Sequence, residues 1–566
     1  MARDMSAPGN VKVPIDLLHS ICTELALRLD FATLFNCIAS SKHFADAGGA
    51  LANLYRISHL APESGNEAFS LPEQEQLVQK WSIRWRTIIL SCFGQTMFPY
   101  VRYLRVLDLR DLHELFDDDK FRGKIFSNFF TGPLATFDFM AQITGTRQQK
   151  WRSKGIKLRA NIVSIGETIV GSAPMLEEVT EPSVGEYNIL SEALIRWTPQ
   201  LGRLQSLELW DGKTLGDETL RNLLHAHCPH LRRISIYQWR EDESDHKLAE
   251  FISNMPRNTL SEFENHAECG IGPETCLAFN THGSSLKALN LALPEKGISS
   301  LGLLQGCTSV ETLKLTDLFS PHDLKATENE VLLDMISWLK NCEKLRELSL
   351  TGFSSAPDIL TEVLNMDEIQ LEDLQINARD DSMYILKDHT AFHLAIGRQK
   401  KLRSLLLKCD PEPLIPDARD ALVGQICQLH DLKYLKLTRT SDWFQDQHIQ
   451  ALAKSLSVLE ELLVAGWALS DASLQALSNL SSLKSITFNG PSNFSADGLI
   501  DFINRLGPGN QGLAVSIDMA NTDTRLTNEE QYAVRDALMN KVQGRFEYQL
   551  TRDPDVPEFY DESDSD

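Results

Sequence analysis

The sequence lacks any run of about 20 apolar residues, the length at which a helix crosses a bilayer. Its first ten residues have no apolar core of the kind that signal peptides carry, and we expect residues 1–10 to be disordered. Its 10 cysteines among 566 residues do not form the framework of a disulfide-rich secreted domain. These absences favour a protein of the cytoplasm and/or nucleus, with reduced thiols and no membrane partner.

An excess of positive charge is also absent. The 55 Lys and Arg residues are outnumbered by 78 Asp and Glu residues, so the formal net charge is -23 at pH 7. Nucleic acids and anionic membranes are bound by clustered Lys and Arg, and we expect neither as a partner. The one basic stretch, residues 147–159, is open to two interpretations: an exposed loop, which we favour, and a docking patch for an acidic segment.

Recognisable catalytic motifs are missing as well. The sequence has no Gly-rich phosphate loop, no paired CxxC and no GxSxG. His225, His227, Cys228 and His230 form the densest group of metal-ligand residue types, but the histidines flank a predicted helix-to-strand turn. Residues 117–119 are three aspartates without the further ligands of a cation loop, and we interpret them as solvated. We therefore expect no enzyme, no metal and no cofactor.

What the sequence does contain is a recurring phrase: an apolar residue, two variable residues, a second apolar residue, one variable residue and a third apolar residue. Weaker copies begin at Leu104, Leu176 and Leu260. Between Leu176 and Leu483 the mean period is about 28 residues, which is typical of leucine-rich repeats. The clear copies begin at Leu204, Leu231, Leu286, Val310, Leu345, Leu371, Leu402, Leu432, Leu459 and Leu483.

Each phrase predicts a short strand, because alternate side chains of a strand share one face. A single strand cannot bury that face, so consecutive strands must stack. Between the phrases, apolar residues recur at a period near 3.6, which predicts helices. Such helices are predicted at 220–224, 332–339, 449–456 and 474–480, with Ser470 and Thr527 as capping residues. The predicted fold is α/β: a leucine-rich repeat solenoid, a horseshoe with parallel strands inside and helices outside.

The solenoid is predicted to occupy residues 101–550. It would end in a C-terminal cap with a helix at Asn528–Val542 and a strand at Arg545–Leu550. Departures from the period at 317–330 and 409–420 predict loops at the rim of the array. An irregular region after the first phrase carries an aromatic cluster of Phe126, Phe129, Phe130, Phe137 and Phe139. Residues 551–566 are acidic and predicted to be disordered.

Cys228, Cys307 and Cys342 each lie three residues before the first apolar residue of a phrase. A small buried side chain suits this position, where the helix turns back into the strand. In this respect the chain resembles the cysteine-containing subclass of leucine-rich repeats, which is commonly attached to F-box domains.

Residues 11–60 do not follow the repeat and predict a small all-α domain in front of the solenoid. Pro14 suits the first turn of a helix, and Asp30 is placed to cap a second helix that carries Leu34. Residues 61–100 follow as a linker and a connecting helix with the apolar residues Leu77, Trp81, Trp85, Ile88 and Ile89. The N-terminal segment resembles an F-box in the residues Pro14, Leu17-Leu18, Asp30-Phe31, Ser41-Lys42-His43-Phe44 and Leu54-Tyr55-Arg56.

The resemblance implies a fungal-type F-box and leucine-rich repeat protein, the substrate receptor of an SCF-type (cullin-RING) ubiquitin ligase. The F-box would bind the Skp-type adaptor, which joins the cullin scaffold, and the solenoid would hold a target protein. The implied adaptor-binding residues are Pro14, Ile15, Leu17, Leu18, Ile21, Leu25 and Leu34. The alternative is a ligase-independent leucine-rich repeat scaffold whose N-terminal helices act as a cap.

The variable residues of the phrases predict the surface that holds the target, because they point away from the buried column. Two aromatic residues on consecutive repeats would be typical anchors for a partner protein. Trp239 lies just beyond the second of these repeats, and we favour its burial under a rim loop. For Trp210, exposure and burial under a rim loop are both open. The predicted partner-binding residues are Glu208, Trp210, Ser235, Tyr237, Lys314 and Tyr434.

Overall fold

The computed structural model describes residues 14–28, 30–40, 49–57, 70–138, 147–181, 190–319, 323–381 and 383–550. The chain divides into two compact units, Met1–Phe263 and Glu264–Asp566. The two segments predicted to be disordered, 1–10 and 551–566, lie outside the described residues, as do Phe139 and the F-box residues 41–44. Among the helices of the described residues, none is long and apolar enough to span a bilayer.

The first unit begins with helices and continues as alternating strands and helices. Its helices are α1 (Ile15–Leu27), α2 (Phe31–Ser40), α3 (Ala50–Leu54), α4 (Leu71–Cys92), α5 (Leu109–Asp117), α6 (Gly123–Phe129), α7 (Arg147–Val170), α8 (Leu190–Trp197), α9 (Glu218–His227) and α10 (Ser244–Asn254). Its strands are β1 (Val106–Asp108), β2 (Glu178–Thr180), β3 (Ser206–Asp211) and β4 (Arg233–Gln238), and β5 (Glu262–Asn265) crosses the boundary.

Strands β1 to β4 pair in parallel and in chain order. Their register places the second apolar residue of each phrase side by side. These residues, Leu107, Val179, Leu207 and Ile234, are at most 2% exposed. The weak phrases at Leu104 and Leu176 are therefore true repeats.

The second unit continues the same alternation. Its helices are α11 (Pro273–Phe279), α12 (Glu295–Ile298), α13 (Leu324–Thr327), α14 (Asn329–Lys340), α15 (Ala356–Leu364), α16 (Thr390–Ile396), α17 (Pro416–Ile426), α18 (Asp446–Ser455), α19 (Asp471–Leu477), α20 (Ala496–Arg505) and α21 (Asn528–Val542). Its strands are β6 (Ala288–Leu293), β7 (Thr312–Asp317), β8 (Glu347–Thr351), β9 (Asp373–Asn377), β10 (Ser404–Lys408), β11 (Tyr434–Thr438), β12 (Glu461–Val464), β13 (Ser485–Phe488), β14 (Ala514–Ala520) and β15 (Arg545–Leu550).

Strands β6 to β15 also pair in parallel and in chain order. The column that they bury consists of residues at most 4% exposed: Leu289, Leu313, Leu348, Leu374, Leu405, Leu435, Leu462, Ile486, Val515 and Phe546. Each such side chain contributes about 1.5–3 kcal/mol when it is fully buried. The predicted fold, a leucine-rich repeat solenoid of parallel strands and helices, is confirmed.

The structure also shows capping hydrogen bonds at the starts of two helices. The Ser470 hydroxyl accepts a hydrogen bond from the backbone N–H of Ala472 at the start of α19. Thr527 and Glu530 form a capping box at the start of α21. Both the cap helix and the final strand lie at the predicted residues.

The three phased cysteines are buried and tie successive turns together. The Cys228 thiol donates to the carbonyl of Leu201 at 3.5 Å, and the Cys342 thiol lies 3.6 Å from the carbonyl of Cys307. Burial raises the pKa of each of these three thiols to about 12, so they stay protonated. All 10 cysteines are free thiols.

Two sequence-based interpretations are corrected. The basic stretch 147–159, favoured as a loop, belongs to the 24-residue helix α7. Its helical form follows from Leu158, Ile162, Ile165 and Ile169, which recur at helical spacing and are buried.

The predicted rim loops are shorter than expected. Residues 317–330 include α13 and the start of α14, and 409–420 include the first turn of α17. In the second segment Pro416 starts the helix, because a proline lacks only an N–H that the first turn leaves unpaired anyway. Only residues 409–415 form a loop there.

Arg84 of α4 joins the N-terminal helices α2 and α3 to the connecting helix. Its guanidinium donates to the carbonyl of Leu54 at 2.7 Å and to the carbonyl of Ile57. It also lies over the rings of Phe31 and Tyr55, at 5.4 and 5.2 Å from their centroids. Burial lowers the pKa of Arg84 to about 10, so it remains charged at neutral pH. One buried cation thus connects α2, the end of α3 and α4.

Asp111 forms the next connection, from α5 to α4. A single carboxylate oxygen accepts from the indole N–H groups of Trp81 and Trp85, both at 2.6 Å. Burial raises the pKa of Asp111 to about 7, although the two indole hydrogen bonds oppose the shift.

This raised pKa makes stability depend on pH. Between the unfolded value of about 3.9 and the folded value of about 7, the folded chain binds more protons at Asp111, so stability falls as pH rises. From pH 5 to 8 we expect the wild type to lose about 2 to 3 kcal/mol relative to Asp111→Asn, measured by urea unfolding. The control Asp117→Asn, at an exposed aspartate of the same helix, should keep the wild-type slope. Equal slopes in the wild type and Asp111→Asn would contradict the assignment.

Candidate protein-binding site

The first predicted surface lies on the N-terminal helices. Helix α1 buries Leu18, Cys22 and Ala26, and the last two pack with Leu34 of α2. Leu25 is half-buried beside this core. The core is small because the three helices are short.

A neighbouring side of α1 carries two exposed apolar residues. Leu17 is 55% and Ile21 is 45% exposed, and their spacing of four residues places them on one face of the helix. Pro14 and Ile15 are exposed at the start of the helix, and Phe35 of α2 is exposed as well. We call Leu17, Ile21 and Phe35 the N-terminal apolar residues.

Two of the predicted adaptor-binding residues are corrected by this arrangement. Leu18 and Leu34 are almost completely buried, so their side chains support the helices from within. The F-box pattern records the leucine pair that contains Leu18, but it does not separate the side of the helix that faces the core from the side that faces solvent.

The second predicted surface lies on β3 and β4. Glu208 and Ser235 are register partners between buried neighbours, so both belong to the strand face opposite the buried column. Trp210 and Tyr237 follow on the same two strands, and their rings stack with centroids 3.9 Å apart and planes within 9°. Tyr237 is 40% exposed and Trp210 is half-buried. The two aromatic residues are thus neighbours on adjacent strands, and we call this pair the aromatic stack.

Charged side chains hold the strands around the aromatic stack. Arg110 donates to Asp108 at 3.2 Å and to Glu208 at 2.5 Å, which links β1 to β3. The buried Glu181 accepts from the backbone N–H of Trp210 at 2.9 Å. These hydrogen bonds fix the backbone from which the indole projects.

Trp239 lies apart from this surface. It is completely buried, and its ring packs close to Gly212 and Gly216, as the preferred interpretation expects. A Cβ on Gly212 would come within 2.6 Å of the indole, so the close packing requires glycine.

Lys314 and Tyr434 belong to the second unit. Lys314 is exposed on β7, and Tyr434 is exposed on β11 with its hydroxyl 3.4 Å from a Glu460 carboxylate oxygen. Four strand spacings separate β7 from β11, which is about 19 Å. The structure therefore does not bring these two residues together.

Arg110 and Glu181 were not identified from the sequence, because each forms its hydrogen bond with β3, a strand of a different repeat. The signal that could have found them is their position directly after the strands β1 and β2.

Metal binding has no support in the described part of the chain. It contains no group of three or more His, Cys, Asp or Glu side chains that could hold a metal ion. Cys228 is buried, whereas His227 and His230 are exposed.

No protein-family model matches the sequence, and no curated protein matches it. Among solved structures, the chain is similar to one in the yeast Rad7 and Elc1 complex, at 14% identity over 65% of this chain and 76% of that one, with a TM-score of 0.34. An internalin (InlF) from Listeria monocytogenes str. 4b F2365 gives 13% identity, 68% and 83% coverage and a TM-score of 0.30. The TLR13–ssRNA13 complex gives 12% identity, 68% and 60% coverage and a TM-score of 0.29.

The aromatic stack makes a measurable prediction about stability. In a double-mutant cycle of Trp210→Ala and Tyr237→Ala, we expect a coupling of about 0.5–1.5 kcal/mol in urea unfolding, because stacked rings interact beyond their buried area. The control pair is Trp210→Ala with Phe93→Ala, an exposed aromatic after α4, whose effects should add. Additive effects for Trp210 and Tyr237 would show that the stack does not form in solution.

Proposed function

We propose that this chain is a non-catalytic substrate-recognition subunit of an SCF-type (cullin-RING) ubiquitin ligase in the cytoplasm and/or nucleus. The N-terminal helices would bind a Skp-type adaptor and, through it, the cullin scaffold. The face of β3 and β4 that carries the aromatic stack would hold the target protein.

The observation that carries the proposal is the exposure of the N-terminal apolar residues. Leu17, Ile21 and Phe35 are exposed on a domain whose core contains few fully buried side chains. Leu17 and Ile21 share one face of α1, and exposed apolar side chains that lie together are typical of a surface that a partner protein covers. The resemblance of the sequence in this segment to an F-box supports a Skp-type adaptor as that partner.

The junction around Arg84 suits this role. A receptor accelerates ubiquitin transfer by holding its target at a defined distance from the ubiquitin-carrying enzyme, so the gain is proximity. Arg84 and Asp111 attach the N-terminal helices to α4 and α4 to α5 through buried hydrogen bonds. Movement of the adaptor-binding helices relative to the first repeat would break these bonds.

The aromatic stack supports the target-binding part of the proposal. Large aromatic side chains supply much of the binding energy at protein interfaces, and they do so with few rotatable bonds. Trp210 and Tyr237 are held in place before any partner arrives, since they stack on each other. A target would therefore meet a preformed anchor.

The test is co-purification of adaptor and cullin with the full-length chain. We expect Leu17→Ser with Ile21→Ser to reduce adaptor recovery more than tenfold, because each side chain contributes about 1.5–3 kcal/mol when a partner buries it. The matched control is Leu333→Ser with Leu394→Ser, two exposed leucines on helices of the second unit. The control should recover adaptor at the wild-type level.

Two outcomes would contradict the proposal. Adaptor recovery that is equal in the wild type and the Leu17/Ile21 variant would remove these helices as the binding surface. Absence of adaptor and cullin from the wild-type complex would favour the ligase-independent scaffold, in which the helices only cap the first repeat.

A further inference from the structure

A second aromatic surface lies in the second unit, away from the strand positions that the sequence singled out. It is formed by three consecutive loops, 409–415, 439–445 and 465–470, which follow β10, β11 and β12. The strands are parallel neighbours, so these loops emerge at the same edge of the sheet.

Hydrogen bonds connect the three loops to one another. The backbone N–H of Cys409 donates to the Thr440 hydroxyl at 3.1 Å. The N–H of Gly466 donates to the carbonyl of Ser441 at 2.9 Å, and the N–H of Trp467 donates to the carbonyl of Phe444 at 2.7 Å. The loops therefore form one connected surface whose shape does not depend on a ligand.

Two indoles lie side by side on this surface. The ring centroids of Trp443 and Trp467 are 4.9 Å apart, with an angle of 35° between the ring planes. Trp467 is 51% exposed. This exposure is unusual, because Trp side chains are on average highly buried in folded proteins. The neighbouring loop adds the exposed side chains of Leu414 and Ile415.

Acidic residues lie in two of the three loops. Asp442 is half-buried beside Trp443, and its one ion pair within the described residues is with Arg439 at 3.4 Å. Burial raises the pKa of Asp442 to about 6, and the charges of Asp410 and Glu412 add to the rise. The charges of Asp410 and Glu412 thus repel that of Asp442, and an added cation would relieve this repulsion.

We propose that Trp443 and Trp467, together with Asp410, Glu412 and Asp442, bind an arginine-bearing segment of a partner protein. A guanidinium is flat, so it can stack on an indole while its N–H groups donate to a carboxylate. A lysine ammonium is a compact charge without such a plane and fits this surface less well. The net charge of -23 of the whole chain further favours a basic partner. This site is separate from the N-terminal apolar residues and does not depend on the proposed ligase role.

The probe is a fluorescein-labelled 12-residue peptide that repeats Arg-Gly-Ser, titrated with the full-length chain and followed by fluorescence anisotropy. Matched peptides carry Lys or Glu in place of Arg. We expect the arginine peptide to bind, the lysine peptide to bind at least threefold more weakly, and the glutamate peptide not to bind. Equal affinity for the arginine and lysine peptides, or binding of the glutamate peptide, would overturn the proposal.

Substitutions of residues in the proposed site test whether the peptide binds there. Trp467→Ala should weaken binding of the arginine peptide about fivefold or more, because the exposed indole supplies the stacking surface. Asp442→Asn, which keeps the shape and removes the charge, should weaken it about threefold. The control is Tyr532→Ala, at an exposed tyrosine on α21, and it should bind within twofold of the wild type. The proposal is overturned if Trp467→Ala and Asp442→Asn both bind as the wild type does, or if the wild type does not bind the arginine peptide.

Discussion

The fold depends on one constraint: a strand of 3 to 7 residues with apolar side chains on one face cannot bury that face by itself. Each repeat solves the problem by placing its second and third apolar residues against those of its neighbours. The register is uninterrupted across the leucine positions of β7 to β13. Because the core is shared in this way, the variable residues between the leucines can change without loss of the fold, and binding surfaces can form there.

The N-terminal helices also cannot bury all of their apolar side chains by themselves, and they leave some of them exposed. They bury Leu18, Cys22 and Leu34 but leave Leu17 and Ile21 in solvent. A domain of this size gains little stability from its own core, so its attachment to α4 contributes to its order. The polar connections to α4 are few and buried, which makes each of them costly to break.

Much of the fold was predictable from the sequence, because leucine spacing and helix caps act over short distances along the chain. Helix α7 was misread because its basic first half conceals the apolar spacing that begins at Leu158. The burial of Leu18 could not be derived from a motif that records residue types alone. Trp443 and Trp467 were missed as a pair since they lie in different repeats, and only the strand register brings them within 4.9 Å.

The attachment made by Arg84 has a consequence for how this protein can vary among related chains. Its guanidinium donates to main-chain carbonyls at residues 54 and 57, and every amino acid supplies such an oxygen. The side chains at those two positions can therefore be substituted during evolution without loss of the two hydrogen bonds. The arginine itself has less freedom, because a lysine lacks the flat guanidinium that lies over the rings of Phe31 and Tyr55.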